Sequence, residues 1–217
     1  MMHACKLGCL LFLLLAMPAA AQESCRLPPQ IEALSCDRQE ESRGRRGDFD
    51  HYILSFSWSP AWCDSGPAER SPIQCRDNRF GWIVHGLWPQ YAAARGIRPA
   101  WPQYCAAVAP VPAAVLRPHL CTMPDPRLMQ CQWAKHGSCS GFAGPEAYFA
   151  AIGRLAARFT LPEPATPDMP APALRDAVLA ANPGLERGHV RVIRNRGRIR
   201  EIRICLDKAL ENPVFCD

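Results

Sequence analysis

Gln132-Trp133-Ala134-Lys135-His136-Gly137-Ser138-Cys139 sets a fixed cation beside a titratable imidazole, and Val84-His85-Gly86-Leu87-Trp88-Pro89-Gln90 carries a second histidine in front of a glycine. Imidazole is the only side chain whose ordinary pKa, about 6.5, lets it act as either base or acid near neutral pH. A fold that brings His85 to face His136 therefore has one group to take a proton and another to give one. Cleavage of RNA is a reaction that such a pair serves: a base removes the 2′-hydroxyl proton, the oxygen attacks phosphorus, and an acid protonates the leaving 5′-oxygen. Lys135 suits the negative charge that gathers on the phosphorane.

The two stretches resemble the paired signatures of the ribonuclease T2 family, His-Gly-Leu-Trp-Pro and Glu-Trp-x-Lys-His-Gly-(Thr/Ser)-Cys. His85 to Pro89 match the first in full, and Trp133, Lys135, His136, Gly137, Ser138 and Cys139 match the second. Tyr52 to Cys63 looks like the family's first core strand and Arg203 to Lys208 like its last, so the resemblance covers roughly residues 48 to 216. It implies an α+β fold, a central antiparallel sheet flanked by helices and stapled by disulfides. It also implies catalytic roles for His85, His136 and Lys135, and a place for Trp88 near the nucleobase, where stacking contributes about 1 to 3 kcal/mol per base. Gln90, after the proline, is a weaker candidate for base contact. Which histidine is base and which acid stays open.

One position departs from the pattern. Gln132 stands where the family usually carries a glutamate that helps to bind and polarise the phosphate, and Cys131 where many members have histidine. A carboxamide keeps the hydrogen bonds but brings no charge and exchanges no proton. Losing one such group typically costs about 10 to 1,000-fold in rate. The expectation is an enzyme slowed at Gln132 and still active.

A chain of 217 residues has room for one domain with a sizeable core. Its 48% hydrophobic and 21% charged residues exclude bulk disorder. Residues 1–21 carry Lys6, the apolar run Leu10 to Met17 and a small-residue end at Pro18-Ala19-Ala20-Ala21, which reads as a secretory signal peptide. No other stretch approaches a membrane span, so the mature protein is expected to be exported, to the periplasm or medium, and free of the membrane. Twelve cysteines less Cys5 and Cys9 leave ten, an even number suited to an oxidising compartment. Sequence alone leaves their connectivity open. Short separations together with the family resemblance favour Cys63 with Cys75, Cys105 with Cys139, Cys121 with Cys131 and Cys205 with Cys216, leaving Cys25 with Cys36. Loss of Lys6 lowers the net charge from +5 to +4, compatible with a polyanionic partner. The densest basic run, Arg187 to Arg203, reads first as a solvated hairpin face and second as phosphate steering.

In chain order, residues 22–47 read as a loosely ordered arm clipped to the body by one disulfide, and residues 48–217 as the catalytic domain. Asp50 to Trp58 alternates as a strand; Asp64 to Asn78 is turn-rich; Phe80 to Val84 is a strand with His85 at its end. Five prolines between Tyr91 and Met123 make that stretch mostly loop. Arg127 to Gly137 reads as a helix that puts Gln132 and His136 on one face, with Gly137 as its stop. Pro145 to Phe159 is an amphipathic helix and Ala173 to Ala181 a short one. His189 to Arg194 and Arg198 to Leu206 form a hairpin around Asn195-Arg196-Gly197. His51, His119 and His189 lack convergent partners and read as structural.

The leading reading is a cofactor-free, metal-independent endoribonuclease, acting as a monomer on single-stranded RNA through a 2′,3′-cyclic phosphate to 3′-phosphate ends, and inert on DNA. A second is an exported RNA-binding or interaction module that kept the fold and lost turnover through Gln132. A third, a zinc hydrolase using Cys and His between Cys105 and Cys139, fits no common ligand spacing.

Overall fold

A computed structural model describes residues 25–32, 36, 41–66 and 71–216. The expected signal segment, residues 1–21, lies outside the described residues. Four strands, β1 (His51–Trp58), β2 (Trp82–Gln90), β3 (Val190–Asn195) and β4 (Arg198–Asp207), form one antiparallel sheet in the order β2-β1-β4-β3. The helices are α1 (Ser59–Cys63), α2 (Pro72–Cys75), α3 (Ala113–Leu116), α4 (Pro126–Lys135), α5 (Pro145–Arg158) and α6 (Ala171–Ala181).

Period-two alternation divides the sheet into two unlike faces. Tyr52, Leu54, Phe56, Val84, Leu87, Ile202, Ile204 and Leu206 are buried on one face, against Tyr148, Phe149, Ile152 and Leu155 of α5, Met129 and Trp133 of α4, and Leu174 and Val178 of α6. The α5 stripe thus serves packing, and the Tyr148 hydroxyl fixes the helix to the sheet by donating to the Leu87 carbonyl at 2.9 Å. The opposite alternation places Ser55 and Ser57 of β1 beside Arg203 and Glu201 of β4. Small residues in the central strand and charged ones beside it leave this face for chemistry.

Three local expectations change. β2 does not end before His85 but runs on through Pro89; it pairs only with β1, and an edge strand tolerates a proline. The helix at 127–137 begins at Pro126, where Asp125 accepts from the Arg127 and Leu128 amides, and ends at Lys135 with His136 as C-cap. Gly137 is not a left-handed stop. It opens a 3₁₀ turn, Gly137–Cys139, and its missing side chain admits the Trp133 ring, which any Cβ there would overlap.

The disulfide pairing is corrected in part. Cys63–Cys75, Cys105–Cys139 and Cys205–Cys216 are as expected, but Cys25 bonds Cys121 and Cys36 bonds Cys131. Short separation is the wrong guide here, because the arm is laid along the body. Arg43 and Gln103 exchange both backbone hydrogen bonds at 2.8 Å, and the Arg26 amide donates to Asn78 Oδ1 at 2.6 Å. The described part of residues 22–47 is therefore held to the body, as expected, but by two long-range disulfides and not by one.

Candidate active site

His85 enters the site through an irregularity in β2. Phe56 pairs with Val84 and Ser55 with Gly86, so His85 is the extra residue of a β-bulge. A bulge bends the strand and re-aims the side chain, a device frequent beside active sites. Gly86 permits the close approach of β2 to α4, because a Cβ at this position would overlap both Gln132 Oε1 and Trp88 Nε1.

From the other side, the end of α4 delivers Gln132, Lys135 and His136. The His136 amide still donates to the Gln132 carbonyl at 2.9 Å, so the two residues stack one turn apart as on a continuous helix. Gln132 is buried, and its Oε1 accepts from the Trp88 indole N–H at 2.6 Å. Lys135 lies with its Nζ 5.8 Å from the centre of the Tyr104 ring.

Trp88 is the pivot of the cluster. Its ring centre lies 5.1 Å from that of His85, edge to face, and 5.5 Å from that of His136. The Arg203 guanidinium sits over the same indole at 5.0 Å. The two histidines therefore flank one side chain. Trp88 itself is only 9% exposed, which makes it a wall that sets the imidazoles apart more than a platform open to a base.

The two imidazoles sit in opposite electrostatic settings. His136 is buried, and its Nδ1 has no hydrogen-bond partner among the described residues. Burial first, then the charges of Lys135 and His85, hold its pKa well below the ordinary histidine value. His85, with a third of its side chain exposed, instead meets a carboxylate: Nδ1 lies 2.9 Å from Glu201 Oε1. The second oxygen of Glu201 accepts from Arg203 Nε at 2.9 Å and Nη2 at 2.6 Å. Burial alone would raise the Glu201 carboxyl. The His85 and Arg203 partners outweigh it and pull the pKa down to about 2, so Glu201 is ionised throughout the working range.

His85, His136, Gln132, Lys135 and Trp88 thus gather at the junction of β2 and α4. Gln90 is not part of the cluster: it is buried at the far end of β2, and its amide donates to the Pro89 carbonyl at 2.8 Å. Glu201 and Arg203 are site residues that the sequence does not single out. Arg203 belongs to the basic run, and the only sequence signal for either is their place on alternate positions of a strand whose register is unknown. The rest of the run is largely structural, with Arg187 paired to Asp176 at 2.8 Å, Arg198 to Asp64 at 2.9 Å, and Arg191 and Arg194 donating to the Cys216 and Asp168 carbonyls. His51 is buried at the start of β1, His119 packs beside Phe149, and His189 Nδ1 accepts from the Glu186 amide at 3.0 Å. The cysteines between 105 and 139 all lie in disulfides, and among the described residues no group of three or more His, Cys, Asp or Glu could hold a metal ion. The zinc reading loses its ligands.

The model of the ribonuclease T2 family matches residues 49–163, a span that holds both histidine motifs. The chain belongs to the ribonuclease T2 family. A probable ribonuclease of Haemophilus influenzae is 36% identical over 167 residues, covering 73% of this chain but 58% of that protein, so the chain spans less than two thirds of that relative's length. A ribonuclease of Aeromonas hydrophila is 32% identical over 189 residues, covering 81% of this chain and 80% of that one. The T2 fold is also that of RNase NT, solved in complex with 5′-AMP, with a TM-score of 0.55 at 22% identity over 78% of this chain and 91% of that chain. Glu201 and Arg203 lie beyond the family match, on the strand that completes the T2 sheet.

Proposed function

We propose that the protein is an exported endoribonuclease that cleaves single-stranded RNA by metal-independent transesterification. The supporting observation is the unlike setting of the two histidines on either side of Trp88. His136, kept neutral by burial and by two neighbouring cations, takes the 2′-hydroxyl proton. The 2′-oxygen attacks phosphorus. Lys135, beside His136, bears on the charge of the phosphorane, and Gln132 offers it only dipolar support. His85, with Glu201 as counter-charge behind Nδ1, gives a proton from Nε2 to the departing 5′-oxygen. The cyclic phosphate is opened in a second step, in which His85 takes a proton from water, His136 returns one to the 2′-oxygen, and a 3′-phosphate remains. DNA lacks the 2′-hydroxyl and is not a substrate. The reading includes a monomer with no cofactor, and a signal peptide removed near Gln22.

The test is digestion of a homopolymeric RNA in the presence of chelator by the wild type and by His85→Ala and His136→Ala. Cyclic-phosphate ends from the wild type alone are expected. Tight RNA binding without cleavage would favour the second reading, a binding module. That reading draws on Gln132, whose neutral amide is committed to the Trp88 indole.

A further inference from the structure

Glu201 and His85 are not on neighbouring strands. β1 lies between them, and with strands about 4.8 Å apart the two backbones are separated by roughly 10 Å. Their side chains meet because three things coincide. The bulge turns His85 over the sheet, the register puts Ser57 beside Glu201 and Ser55 beside Arg203, and both serines are short enough to leave the path across β1 open. The Glu201 side chain is only 14% exposed, so water does not compete freely for it. Arg203 has donors but no acceptor, and it holds Oε2 through two N–H groups. Oε1 is left to face Nδ1 of His85.

We propose that Glu201 is a positioning residue for RNA cleavage and that Arg203 fixes its polarity, so that Nδ1 of His85 always meets an acceptor and Nε2 is the nitrogen that exchanges protons with substrate. The proposal rests on the endoribonuclease reading for its kinetic consequence but not for its structural one. In the reaction the Nε2 proton passes to the 5′-oxygen, the Nδ1 proton stays on its hydrogen bond to Glu201, and His85 is left neutral with Nε2 free to take a proton from water in the second step.

The consequence is specific to Arg203. In Glu201→Gln the two Arg203 donors demand the amide oxygen, which turns the amide NH₂ toward His85. Nδ1 must then accept, the neutral ring must carry its proton on Nε2, and a ring protonated on both nitrogens meets a donor face to face. Gln is nearly isosteric, so the fold is retained. Arg203→Met leaves the carboxylate facing Nδ1. In the double variant the amide is released to turn its oxygen back.

The experiment reads the His85 tautomer from side-chain ¹⁵N shifts at alkaline pH, and kcat and KM on RNA, in the wild type, Glu201→Gln, Arg203→Met and the double variant. The expected tautomer is Nδ1–H in the wild type and in Arg203→Met, and Nε2–H in Glu201→Gln. The expected kcat falls about 100-fold or more in Glu201→Gln with KM within about threefold, and recovers at least about tenfold in the double variant. An unchanged tautomer in Glu201→Gln, or no recovery in the double variant, would overturn the proposal. Because the tautomer is read without RNA, a wild type that does not cut RNA would sink the functional reading and leave this one standing or falling on its own spectrum.

Discussion

Replacing Gln132 by Glu changes one atom type and almost no volume, so its effect is electrostatic. The new carboxylate keeps the acceptor that now takes the Trp88 indole N–H at 2.6 Å and sets its second oxygen where the amide nitrogen was. It stands one helical turn before His136, where side chains are about 5 to 6 Å apart. At about 6 Å and an effective dielectric constant near 20, a unit charge acts on the imidazolium with roughly 3 kcal/mol, about two pH units. Gln132 is buried, so solvent screens this little. His136 is now held low by burial, Lys135 and His85, and the anion opposes the latter two. The proposed mechanism needs His136 neutral; raising its pKa then moves the acidic limb of the rate profile to higher pH, by about one to two units, and makes a stronger base. At the optimum, kcat/KM is expected to rise about 10 to 1,000-fold, the contribution of one stabilising group. The assay is initial-rate cleavage of a dinucleoside phosphate from about pH 3 to pH 9. An acidic limb that does not move would refute the placement of Gln132 against His136, and a limb that moves without a gain in rate would refute the claim that the missing charge limits the enzyme.

Gly86→Ala drives a methyl into Gln132 and Trp88; overpacking of about 1 to 3 kcal/mol and at least about a 100-fold loss of activity are expected, by urea melts and RNA cleavage, and wild-type values would refute the close approach. Glu201 falls from an ordinary 4.5 to about 2 on folding; being depressed, it stabilises the fold by about 3 kcal/mol above pH 4.5, and this is lost as pH drops through 2, so Glu201→Gln should flatten the acid-unfolding slope across that window. Removing Cys36–Cys131 by paired serine substitutions opens a closure of 95 residues and is expected to lower stability by about 2 to 4 kcal/mol in urea; no change would argue that the arm is not tied to the body. On a ribonucleotide diester with an aryl leaving group that departs without a proton, His85→Ala should keep most of its activity and His136→Ala none. The reverse pattern would exchange their roles.

Much of the site is legible in the sequence because its parts are local. His85 and Gly86 are adjacent, and Gln132 and His136 are a helical turn apart, so spacing alone carries the geometry. The sheet is legible for a similar reason: alternation in 51–58 and 198–207 marks strands whatever their partners. The illegible part depends on register. Glu201 reaches His85 only because Ser57 lies beside Glu201 while β2 gains a residue at the bulge, and neither pairing nor bulge leaves a mark in composition. Two of the five expected disulfide pairings fail for the same reason. Near neighbours are favoured for Cys25, Cys36, Cys121 and Cys131, whereas the arm's path along the body decides the pairing.

On the proposed mechanism, the division of labour between the histidines comes in part from surroundings outside the motifs. His136 caps the C-terminal end of α4, where the helix dipole favours a positive imidazole by about 0.3 to 1 kcal/mol, up to about 2 in partly buried settings. That pull acts against burial and against the charges of Lys135 and His85, which lower the pKa. His85 has the opposite arrangement, with the Glu201 carboxylate at Nδ1 and a third of its side chain open to solvent. On the proposed mechanism, two identical side chains thereby take opposite duties from one helix end and from a strand two places away in the sheet. Exchanging the duties would require moving Glu201 and Lys135, not the histidines.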